Sequence, residues 1–153
     1  MLELFNITLF TPFYFPNGKS SAKDKYFIPI CKLENNFICA YLPTSKDRFI
    51  PSKYKGFYGC NNDNETSSSF YSFEPGQVVT DKGFFFERET FVYLSNVNSL
   101  SISMMKDIYK IENVEYEIKG KISKEIIKDL VNCALNSSFV KNKIKNQIKN
   151  YKI

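Results

Sequence analysis

The stretch "YLPTSKD" (residues 41–47) puts two hydroxyls, Thr44 and Ser45, and an ammonium, Lys46, directly after an apolar run that begins at Asn36. A second cation, Lys25, stands at the start of another apolar run. Two cations and two hydroxyl donors at strand ends suit an anion such as a phosphate. The cations offset its charge and the hydroxyls donate hydrogen bonds to its oxygens. Proton transfer is harder to supply, because the chain has no histidine, the side chain that titrates nearest neutral pH. A lysine can serve as an acid, or as a base where neighbouring charge depresses its pKa. Asp24, Asp47 and Glu74 are base candidates by nearness in sequence or to a strand end. The competing reading of 43–45 is an ordinary turn in which Thr44 and Ser45 bond local backbone.

These groups must be held by strands. "LELFNITLF" alternates and reads as a first strand, followed by a long loop, "TPFYFPNGKSSAKD", with two prolines and a glycine. "KYFIPICKL" and "FICAYL" read as a hairpin joined by the turn Glu34-Asn35-Asn36. Pro29 inside the first of these runs implies an edge strand or a bulge. "NNDNETSSS" (61–69) reads as a solvated polar loop. "SFYSFEPGQVVT", "GFFFERETFVYLSNV" and "VEYEIKGKI" supply further strands, with Thr90, Val92 and Leu94 on one face. Near-continuous β structure with short turns implies a small, strongly curved sheet or barrel. The period then changes. Ile122, Ile126, Ile127, Leu130, Ala134 and Leu135 recur at helical spacing behind a Ser123 N-cap. After a break near 136–138, Val140, Ile144 and Ile148 form an apolar stripe beside Lys141, Lys145 and Lys149. The expected organisation is one domain over 1–153: a barrel to about 120, a helix over about 122–136 and a basic helical tail over about 139–153.

Composition agrees with a globular, mainly β chain: 43% apolar and 16% aromatic residues in 153, with three alanines. The net charge of +5 lies wholly in residues 141–153, which hold five lysines and no acid. That tail has three readings: phosphate contacts along an RNA backbone, a helix lying on an anionic membrane, or a solvated terminal helix. Cysteines at 31, 39, 60 and 133 form no CxxC pair, and no histidine completes a zinc site. We therefore expect no metal and no cofactor. Cys31 and Cys39, inside apolar runs, read as small buried hydrophobes. Glu3 stands where a signal peptide needs a basic residue, and the uncharged run Leu4–Gly18 contains two prolines. The expectation is a cytoplasmic protein with reduced thiols and no membrane span.

The order of these parts resembles the MazF/PemK/Kid family of toxin endoribonucleases over nearly the whole chain. "LFTPFYFPNGKSSAKDKYFIPI" looks like that family's opening strand, Gly/Ser loop and second strand. "ICAYLPTSKD" looks like its third strand, which ends in Thr or Thr-Ser. "ERETFVYLSNVNSLSISMM" and "GKISKEIIKDLVNCAL" look like its late strand and closing helix. "LPTSKD" is also similar to the Thr-Ser-x-Lys cluster of the RNA-inhibited relatives. The family's Arg-Pro at the start of the second strand is replaced by Lys25-Tyr26, which keeps the charge and loses the bidentate fork. The resemblance implies an SH3-like barrel, bacterial, and a metal-independent endoribonuclease of a toxin–antitoxin system. In such an enzyme the substrate's 2′-hydroxyl attacks the phosphate and leaves a 2′,3′-cyclic phosphate. It implies catalytic roles for Lys25 and Thr44 at the positions of the family's Arg and Thr, with Ser45 and Lys46 added from the RNA-inhibited branch. Phe13 and Tyr14 would stack on unpaired bases, and Lys19, Lys23 and Arg48 would contact RNA. The implied partners are single-stranded RNA, an antitoxin of protein or RNA over the cleft between loop 13–24 and Thr44, and a second copy of the chain as a homodimer. The alternative is a non-catalytic barrel that binds RNA or a protein partner.

Overall fold

Alternation explains the central strands. In a computed structural model, which describes residues 3–11, 24–43, 56–63 and 68–151, the chain forms β1 (Asn6–Phe10), β2 (Lys25–Lys32) and β3 (Asn36–Pro43). Along β3, Ile38, Ala40 and Leu42 enter one apolar cluster, while Phe37, Cys39 and Tyr41 face another. Both faces of this sheet are covered, so its strands read as continuous apolar runs rather than polar–apolar alternation. β2 and β3 form the expected hairpin, closed by Leu33 N donating to Asn36 O at 2.8 Å.

The remaining elements are β4 (Gly59–Asp63), β5 (Ser68–Phe73), β6 (Thr90–Tyr93), a one-turn 3-10 helix (Leu94–Asn96), β7 (Asn98–Ser101), α1 (Ile102–Ile108), β8 (Tyr116–Lys121), α2 (Lys124–Leu135) and α3 (Asn142–Asn150). The strands make two antiparallel sheets, a five-stranded one in the order β7-β3-β2-β1-β8 and a three-stranded one in the order β4-β5-β6. The mainly β expectation therefore holds. No closed barrel is found among the described residues, where β7 and β8 are opposite edges of the large sheet and do not pair. The chain steps from the small sheet to the large one through the 3-10 turn after β6, with β6 running close to β3.

The larger core cluster lies between the two sheets and α2–α3, and includes Ile7, Ile28, Leu42, Phe73, Val92, Leu130, Ile144 and Ile148. The second lies on the opposite face of the large sheet, where Phe10, Phe27 and Phe37 meet Met105 of α1 and Tyr109. Ser101 starts α1, its Oγ accepting from Met104 N at 3.4 Å. The family resemblance implied the late strand and the turn after it for the run that ends in residues 101–105. A hydroxyl cap and one buried methionine outweigh that weak β pattern.

Pro29 sits in an interior strand, not at an edge, and produces the bulge that its presence implied. The β2–β3 register shifts between Pro29 and Cys31. Ile28, Ile30 and Cys31 consequently all face the same cluster. The carbonyl of Pro29 accepts from Phe5 N at 2.7 Å. A second irregularity, between Ile7 and Thr8 on β1, lies opposite Gly120. There φ is +115°, and an added Cβ would come within 2.8 Å of Thr80 Oγ1 and Asp81 Oδ1. Only glycine fits that backbone and that space.

The polar stretch 61–69 is not simply a solvated loop. Asn61–Asp63 and Ser68–Ser69 belong to β4 and β5. Phe139 N donates to Ser137 Oγ at 3.2 Å. Ser137 Oγ and Ser69 Oγ are 2.5 Å apart, Ser69 Oγ donates to Asn62 Oδ1 at 2.6 Å, and Asn62 Nδ2 donates to Cys133 O at 3.3 Å. This chain of bonds ties the break after α2 to both strands. Beside it Cys60 and Cys133 form a disulfide, 73 residues apart in sequence, which corrects the expectation of four reduced thiols. Cys31 and Cys39 are free and buried, as expected.

Candidate nucleic-acid interface

The strand register puts one row of residues across one end of the large sheet. Tyr116 of β8 pairs with Phe10 of β1, Phe10 with Lys25 of β2, and Lys25 with Pro43 of β3. Both chain segments that carry the predicted site groups adjoin this row in sequence: 12–23 lies between β1 and β2, and 44–48 follows Pro43. Of the nine predicted site residues, Lys25 is described, as the half-buried first residue of β2. Thr44, Ser45, Lys46, Phe13, Tyr14, Lys19, Lys23 and Arg48 lie outside the described residues.

Beside Lys25, Tyr26 points into an aromatic group, with Phe86 edge-on at 5.4 Å and Phe84 at 5.7 Å between ring centroids. Its phenol is held above the usual range, first by burial and then by the charges of Glu117, Asp24 and Glu87. Lys119 pairs with Glu117 at 2.8 Å and lies 5.6 Å from the centre of the Phe84 ring. Of these carboxylates Asp24 was a base candidate, whereas Glu117 and Glu87 were not predicted. Glu117 and Lys119 come from β8 and Glu87 from the turn before β6, elements far away in sequence, so no local signal could have found them. Among the base candidates, Asp24 adjoins the row. Glu74 is exposed and its charge acts on Tyr58, a residue before β4. Asp47 lies outside the described residues.

At the other end of the β1–β8 pair is a cleft of about 360 Å³, lined by Glu3, Asn6, Asp81, Lys82, Gly120 and Lys121 among others. Its carboxylates and ammoniums offset one another, and Asp81 Oδ1 is engaged by Lys121 N at 2.8 Å, so it presents no net charge to a ligand.

α3 carries a separate cationic surface. Val140, Ile144 and Ile148 are buried in the core, at 3–5% exposure. Lys141, Lys143 and Lys149 are exposed and Lys145 is half-buried. The membrane reading of the tail required that apolar stripe to be available, and it is packed against the body instead. No helix among the described residues is long and apolar enough to cross a membrane. Among the described residues no group of His, Cys, Asp and Glu could hold a metal ion. No protein-family model, curated protein or solved structure matches the chain.

Proposed function

We propose that the Lys25 end of the large sheet handles an RNA phosphate, and that the protein is a metal-independent endoribonuclease of the toxin–antitoxin type. One observation carries the reading: Lys25 is paired in register with Pro43, the residue immediately before Thr44. Segments 12–23 and 44–48, which carry the other predicted groups, therefore adjoin neighbouring strand ends in sequence, which supports a site built at the end of a rigid sheet. Lys25 and Lys46 would offset the phosphorane charge, with Thr44 and Ser45 donating to its oxygens, and electrostatic stabilisation of this kind is often the largest catalytic term. A positioned acid or base would add about 10²–10⁴-fold. The second reading is a non-catalytic module for RNA or a protein partner; the carboxylates around Tyr26 repel a phosphate and so favour its protein-binding form.

The test is cleavage of single-stranded RNA in EDTA by the wild type, Thr44→Ala and Lys46→Ala. The expected wild-type products carry 2′,3′-cyclic phosphate and 5′-hydroxyl ends. Both variants should lose cleavage and keep their stability within about 1 kcal/mol, as expected if these side chains serve the substrate and not the core. Cleavage retained in both variants, or 5′-phosphate products, overturns the catalytic assignment. Binding without cleavage by the wild type supports the second reading.

A further inference from the structure

We infer that α3 is a second RNA-contacting surface, one that tracks the phosphate backbone without reading bases. The choice of RNA rests on the proposed function; the surface itself does not. Burial of Val140, Ile144 and Ile148 fixes which side of the helix faces out. Lys141, Lys145 and Lys149 then recur at four-residue intervals on one flank, about 6 Å apart along the axis, with Lys143 on the other flank. Asn142, Asn146 and Asn150, all exposed, run along the crest between them. Cations in a row beside amide donors suit a linear array of phosphates. α3 itself has no aromatic residue and Tyr151 at its end packs on the core, so the helix offers no platform of its own for stacking bases.

The helix also lacks its own counter-charge. Residues 141–153 contain no acid, and among the described residues none of these lysines forms an ion pair. Lys141 occupies the N-cap with no side-chain hydrogen bond, and the first turn has no acidic residue. A cation there opposes the helix dipole, and lysines four apart repel each other. A bound polyanion supplies the charge that the sequence omits. An anionic membrane is the poorer partner, because an interfacial helix inserts its apolar face and this one has none to offer. An acidic protein would account for the charge, but not for the even spacing.

The experiment compares the full chain with a K143Q/K145Q/K149Q variant, binding homopolymeric single-stranded RNA at several salt concentrations. Glutamine preserves helix propensity and leaves the buried stripe intact, which circular dichroism checks. Loss of three phosphate contacts should make the slope of log K against log salt shallower by about 2, at roughly 0.7 per contact on a single strand. The same relation gives roughly a hundredfold weaker binding at about 0.1 M salt. An unchanged slope and affinity in a folded variant overturns the inference, as does a wild type that fails to bind RNA at low salt. Loss of binding to phosphatidylserine vesicles, with RNA binding unchanged, assigns the face to a membrane instead. Thr44→Ala separates the two proposals: it removes no charge, so it should lose cleavage while keeping the wild-type salt slope. If no form cleaves RNA, the slope comparison still decides the role of α3.

Discussion

α2 and α3 bury apolar stripes in the same core and differ in nearly everything else. α2 begins at Ser123, whose Oγ accepts from Ile126 N, and carries Glu125 in its first turn. Its outer face mixes Lys124, Glu125, Lys128 and Asp129, and the disulfide from Cys133 fastens it to β4. α3 has a lysine at its N-cap, no acid and no covalent tie. Its buried contacts with the body include the Cys31 thiol, 4.0 Å from the carbonyl of Gln147. The same hydrophobic physics docks both helices. Capping, charge balance and cross-linking are spent on α2 alone, which marks α3 as the helix whose outward face is shaped by something other than stability.

Reducing the disulfide should have the largest effect on this contrast. For a separation of 73 residues, the chain-entropy model assigns about 4 kcal/mol. Urea unfolding with and without reductant should show the midpoint fall accordingly. An unchanged midpoint would mean that packing alone holds α2 in place.

Alkaline pH offers a second, smaller handle. Tyr71 of β5 has its phenol pushed up to about 12, by burial first and then by the charge of Asp129 on α2. Its folded-state pKa lies above the unfolded value near 10, so the folded state keeps the proton longer. The resulting stability is complete below about pH 10 and is lost as pH rises through about 12, a change on the order of 2 kcal/mol. Tyr71→Phe should flatten that decline in unfolding curves measured from pH 9 upward. A decline identical in the two proteins would assign it to other groups.

The caps give the smallest and most direct comparison. Ser123→Ala should lower stability by about 1 kcal/mol through loss of the N-cap bond. Lys141→Ser should act in the opposite sense, raising stability by roughly 0.5 kcal/mol, since it adds a cap and removes an opposed charge. Chemical denaturation of both variants checks the pair of signs. Destabilisation by Lys141→Ser would show that the lysine makes a structural contribution absent from the cap geometry.

Much of this helical region was legible because its signals are local. The 3.6-residue recurrence, Ser123 and the break after Leu135 predict α2 over about 122–136 and a further helix over about 139–153; the observed spans are Lys124–Leu135 and Asn142–Asn150. The β2–β3 hairpin was equally readable, from its Asn-rich turn and flanking apolar runs. What escaped was set by contacts across the chain. Asn62 and Ser69 look like loop residues until Ser137 and Cys133 are beside them. Cys60 and Cys133 carry no spacing signal. Closure of a barrel was not legible either, because it depends on which edge strands meet and not on how β-like each segment is; among the described residues β7 and β8 do not pair. At the candidate site, the position of Lys25 at a strand start was legible, whereas the carboxylates facing Tyr26 arrive from β8 and the turn before β6.

The Pro29 bulge bears on how the chain finds its register during folding. In most sheets a one-residue slip is punished at once, because it turns polar side chains inward. Here both faces are apolar, and a slip would only exchange the Ile38–Ala40–Leu42 set for the Phe37–Cys39–Tyr41 set. Hydrophobicity by itself therefore discriminates poorly between neighbouring alignments. A bulge does better, since it interrupts the ladder at one place, and the bond from Phe5 N to Pro29 O ties β1 to that same place. Pro29 thus works as an index mark: it cannot donate to a ladder, so any alignment that needs an amide at position 29 is already disfavoured before the core has packed.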